Sequence, residues 1–152
     1  MNTELKSSQS DLYEADYYRW IQETLETLKQ QNYHQVDWEN LLDEIEDMGK
    51  SERRSLGSNL TIVLLHLLKW QYQRDRRSQS WETSVVEHRI RIEETLEDSP
   101  SLKNHLSEIL EKQYQKALRL AATETKLSIE EFPSECPYSI DQILEADLSE
   151  FS

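Results

Sequence analysis

Glycine is almost missing from this chain of 152 residues: Gly49 and Gly57 are the only two. A glycine-rich phosphate loop or a dinucleotide-binding fingerprint therefore cannot be assembled anywhere in it. Cysteine is scarcer still. Cys136 stands alone, which forbids an internal disulfide and a multi-cysteine zinc cage and leaves no redox motif, so a reduced, cytoplasmic setting is expected. Long apolar runs are lacking too. The longest, Ile62 to Leu68, includes His66 and is far below the roughly 20 residues needed to span a bilayer. The N-terminal MNTELKSSQSDLYEAD has no apolar core of the signal-peptide kind, so a soluble protein without membrane contact is expected. Neither HExxH nor a paired ExxH occurs, and no Gly-x-Ser-x-Gly turn exists.

Acidic residues are abundant. Thirty Asp and Glu against 17 Lys and Arg give a formal charge of −13, which opposes general nucleic-acid binding because like charges repel a phosphate backbone. The charge is segregated. Residues 1–49 hold 3 basic and 12 acidic groups, residues 50–91 hold 9 and 4, and residues 92–152 hold 5 and 14. The basic middle contains Arg53, Arg54, Arg74, Arg76 and Arg77, a candidate binding patch for another protein or, as the lesser reading, a short RNA or DNA contact. The bland reading pairs these arginines with the chain's own acidic helices.

Periodicity predicts helices throughout and no strand alternation. Asp11 followed by Glu14 has capping-box spacing, and Tyr13, Tyr17, Trp20, Thr24 and Leu28 recur on one face after it. Asp37 can cap a second helix with a buried stripe of Trp38, Leu41, Leu42, Ile45 and Met48, which Gly49 ends or kinks. A third helix from about Ser51 to Gln73 is apolar on almost every face and is expected to be central. A fourth starts at Ser80, a fifth at Ser99 and Pro100, and short turns follow Ser128 and Ser139. The expected fold is all-α: a compact bundle of about five main helices plus short C-terminal helical turns, with residues 1–10 a flexible tail and 11–152 a single helical domain.

Six segments in order carry a resemblance: EIEDMGKSERR (Glu44 to Arg54), HLLKW (His66 to Trp70), SW (Ser80 and Trp81), HRI (His88 to Ile90), SPSL (Ser99 to Leu102) and FPSECPYS (Phe132 to Ser139). From about Asp11 onward the chain resembles the bacterial domain-of-unknown-function 29 family. The resemblance implies a compact helical domain and no particular reaction, cofactor or catalytic residue.

Chemistry must then be sought in the residues. Glu44 at the margin of its stripe and His66 on the most apolar helix are the candidate pair, with Arg89, Asp43 and His88 as possible helpers. A carboxylate with an imidazole can act as orienting acid and base, or Asp37, Glu44 and His66 could hold a metal. The competing reading makes His66 a hydrogen-bonded structural histidine and Glu44 an arginine partner. His34 and His105 read as solvated, and Cys136 as a packed small residue. No cofactor is expected. The reading that follows is a non-catalytic interaction protein; the alternative is a small metal-dependent hydrolase or nuclease centred on Glu44 and His66.

Overall fold

A computed structural model describes residues 2–152, with side chains from Gln9 onward. The expected tail over residues 1–10 lies for the most part outside the described side chains. The fold is all-α, 81% helical and without strands among the described residues. Six helices carry it: α1 (Asn2–Ala15), α2 (Tyr17–Lys29), α3 (Trp38–Tyr72), α4 (Gln79–Asp98), α5 (Leu102–Thr125) and α6 (Ile140–Glu145). The chain divides into two compact units, Met1–Lys50 and Ser51–Ser152.

In the first unit the expected single helix from Asp11 is two helices. Asp16 leaves the helical region at φ −151° and ψ 87°, and its carboxylate accepts the Arg19 amide at 3.1 Å. Asp11 lies within α1. Either aspartate could cap, and Asp16 does so where Trp20, one turn on, sends its indole N–H to the buried Asp37 carboxylate at 3.3 Å. Asp37 also accepts the Asn40 amide at 3.4 Å, as a capping residue should. Its helix then runs unbroken past Gly49. One glycine costs an exposed helix only about 1 kcal/mol, and the surrounding Glu, Met, Lys and Arg favour helix enough to absorb it. The expected second and third helices are therefore one, α3, of 35 residues.

Within the second unit, Leu56, Leu60, Val63, Leu64, Leu67 and Leu68 of α3 are completely buried, which makes this half of the helix the wall of the core. Val85 and Ile92 from α4, Leu106, Tyr114, Ala117 and Ala121 from α5 and Ile143 from α6 pack in the same cluster. Two side-chain hydrogen bonds, Thr61 to Gln113 and Gln73 to the Thr125 carbonyl, both join residues 52 apart, so α3 and α5 run parallel in register. Ser78 caps α4, two residues before the expected Ser80. At α6 the Ser139 and Gln142 capping box is complete in both directions. Where helices usually stop on glycine, this chain has Gln31 after α2 at φ 60° and Lys126 after α5 at φ 62°.

Candidate functional sites

Glu44 lies in the first unit, where the Tyr13 and Tyr17 hydroxyls donate to its two carboxylate oxygens at 2.5 Å each. Those bonds, Tyr13 foremost, hold the Glu44 carboxyl below the usual carboxylate range and push the Tyr13 phenol up to about 12. No arginine pairs with it among the described residues. His66 is on the same helix about six turns further on, in the second unit, and is half-buried. Its Nδ1 lies 2.9 Å from the Ile62 carbonyl one turn back, and burial lowers its pKa. The imidazole thus bonds to its own helix's backbone, and no carboxylate among the described residues accepts from it. His88 makes the equivalent contact with the Ser84 carbonyl at 2.7 Å.

Asp37, the third member of the alternative metal set, is occupied by Trp20 and by the Asn40 side chain at 2.7 Å. Among the described residues, no group of three or more His, Cys, Asp or Glu side chains could hold a metal ion. Glu44, His66 and Asp37 are not brought together.

Arg89 and Arg77 tie backbone. Arg89 donates to the Ile143 carbonyl at 2.7 Å and the Gln142 carbonyl at 3.2 Å, satisfying the end of α6, and burial pulls its pKa down against the opposing pull of Asp147. Arg77 stacks on Trp70 at 4.7 Å and donates to the Trp70 carbonyl at 2.7 Å and the Phe151 carbonyl at 3.2 Å. Arg74 and Arg76 are exposed on a single 3-10 turn after α3. Arg53 and Arg54 are on the opposite end of the second unit's part of α3, about 27 Å away along the axis. The five arginines of the candidate patch, Arg53, Arg54, Arg74, Arg76 and Arg77, are not gathered in one place.

Two features escaped the sequence reading. One is exposure in the first unit: Leu42, Ile45 and Met48, expected to be buried, are 61%, 55% and 65% exposed, and Trp38 is exposed beside them. Tyr18, Ile21 and Leu25 make a second exposed apolar row on α2. The other is a cleft in the second unit, where Arg53 and Arg54 face Lys112 and Lys116 of α5. His105, read as solvated, also lines it and lies 3.5 Å from Glu108. Lys112, Lys116 and Arg119 recur at helical spacing, a signal hidden within a stretch that is acidic overall. Cys136 is half-buried, and burial pushes its thiol up.

The family model described as Domain of unknown function DUF29 matches residues 12–149. The chain belongs to this family. No curated protein and no solved structure matches it. This member of DUF29 is all-helical, and no helix among the described residues is long and apolar enough to cross a membrane.

Proposed function

We propose that this DUF29 protein works as a binding module, and that its first unit docks a basic amphipathic helix from a partner protein. The observation that carries the reading is the exposed row Trp38, Leu42, Ile45 and Met48, an i, i+4, i+7 pattern of the kind that anchors one helix against another. Contiguous exposed apolar surface rimmed by charge marks interaction sites. Here the rim is acidic: Glu39, Asp43, Glu46 and Asp47 stand on the same turns, within a unit of 12 acidic and 4 basic residues. That charge disfavours a second copy of the unit and favours a cationic partner. The same unit carries a second exposed apolar row on α2, Tyr18, Ile21 and Leu25. The bonds from Tyr17 to Glu44 and from Trp20 to Asp37 set α2 beside α3 in opposite directions.

The metal-dependent hydrolase or nuclease reading draws no support from the geometry, since Glu44, His66 and Asp37 are each occupied by separate structural partners.

Titration calorimetry with a synthetic Leu/Lys amphipathic helix tests the docking reading. Binding is expected to weaken with salt, as screening requires, and to fall at least tenfold in the Leu42→Glu, Ile45→Glu double variant. Binding that ignores both that variant and salt would refute it.

A further inference from the structure

The second unit contains a site of the opposite character. Between α3 and α5 lie two adjoining open pockets of about 310 Å³ and about 560 Å³, which share Ser58, Gln113 and Lys116. Volumes of roughly 300–1,000 Å³ are those of small-molecule sites. Five cations line them, namely Arg53, Arg54, Lys112, Lys116 and Arg119, with no carboxylate in either lining. None of the five forms an ion pair among the described residues. In a chain of charge −13, acidic partners are plentiful, yet this cleft collects cations and leaves them free.

The floor points the same way. Gln113 is only 8% exposed, and its Oε1 lies 2.8 Å from the Thr61 hydroxyl. Its Nε2 lines the cleft as a donor with no protein partner among the described residues. Gly57 keeps that donor open, since a Cβ there would lie 3.3 Å from Gln113 Nε2. Every charged or amide group facing the cleft is therefore a donor, and the complementary ligand is rich in acceptors.

The two pockets differ. The smaller gathers four of the cations with His105 and Ile109, whereas the larger has two cations, Lys116 and Arg119, beside Ile62 and Leu120. A molecule with its charge concentrated at one end matches this better than an acidic peptide with charge spread along it. Neither lining includes a Phe, Tyr or Trp ring, the larger platforms on which bases stack, which disfavours single-stranded nucleic acid. Paired arginines suit the oxygens of a phosphate.

We propose that the α3–α5 cleft binds a small phosphate monoester, its phosphate among Arg53, Arg54, Lys112 and Lys116 and its apolar body along Ile62 and Leu120. All of the lining residues belong to the second unit, and the assignment does not rest on the docking reading of the first.

Titration calorimetry of the whole chain at low salt, with inorganic phosphate, hexyl phosphate and hexaglutamate as probes, tests the assignment. Hexyl phosphate is expected to bind at least tenfold more tightly than inorganic phosphate and than hexaglutamate. Its affinity should fall at least tenfold in the Lys112→Gln, Lys116→Gln double variant and stay unchanged in Arg74→Gln, Arg76→Gln, whose cations are exposed outside the cleft. All four substituted side chains are exposed, so folding is not at stake, and circular dichroism verifies that. Absence of hexyl phosphate binding, or equal loss in both double variants, overturns the site. Equal affinity for inorganic and hexyl phosphate overturns the placement of the apolar body, and tighter binding of hexaglutamate overturns the ligand class.

Discussion

The opening turns of α3 and its last four turns carry nearly the same apolar repeat, yet one set of side chains faces solvent and the other is sealed. Leu42, Ile45 and Met48 are more than half exposed, while Leu60, Val63, Leu64 and Leu67 have no accessible surface. A helical stripe states which face is apolar and not whether anything covers it. In the second unit α4, α5 and α6 supply the cover. In the first, α2 reaches α3 largely through polar contacts, Tyr17 to Glu44 and Trp20 to Asp37, which hold the helix without burying its stripe.

Truncation should expose the contrast most sharply. Leu64→Ala leaves a cavity in a packed core and is expected to cost about 2–5 kcal/mol by chemical denaturation. A midpoint shift of less than about 1 kcal/mol would mean that this half is not the core wall. The two glycines of α3 offer the next test. Gly49→Ala meets no atom within 4 Å and should stabilise by about 0.5–1 kcal/mol, whereas Gly57→Ala forces Gln113 to give way and should gain less or lose. Equal gains at both would remove the difference in surroundings. Leu42→Ala should change stability by under about 0.5 kcal/mol, as an exposed substitution does, and a core-sized loss there would show that the stripe is covered.

The smallest effect is a titration. Glu44, its pKa lowered in the folded chain, contributes stability at pH above the ordinary carboxylate value and loses it as pH falls through the lowered one. Tyr13 works in the other direction: its contribution is complete below the ordinary phenol value of 10.0 and is lost as pH rises through about 12. Ultraviolet titration of Glu44→Gln should show the Tyr13 and Tyr17 phenolate midpoints both moving back toward 10.0. An unchanged curve would break the link between α1 and α3.

Local signals were readable from the chain and tertiary choices were not. The Ser139 and Gln142 capping box is complete within four residues, so its spacing sufficed. The all-α class and the helix count also followed from periodicity, although the count agrees only because the split at Asp16 offsets the fusion across Gly49. Asp16, not Asp11, is the aspartate that takes a helix amide, that of Arg19, while the nearby bond from Trp20 to Asp37 spans 17 residues and no local pattern encodes it. The same limit applied to the sites. Arg53 and Arg54 stood out in a basic stretch, whereas Lys112, Lys116 and Arg119 join them only because α5 runs parallel to α3. Nothing local to Arg89 marks it as the partner of the α6 carbonyls, which lie 53 and 54 residues away.

Gln31 and Lys126, left-handed at the ends of α2 and α5, have a consequence for the unfolded chain. Glycine at such positions relieves steric strain in the native state but widens the disordered ensemble that folding must collapse. This chain makes the opposite trade. It keeps both strained corners, each at a cost of about 1 kcal/mol, and its denatured ensemble is correspondingly narrower, with less conformational freedom to surrender when the helices form.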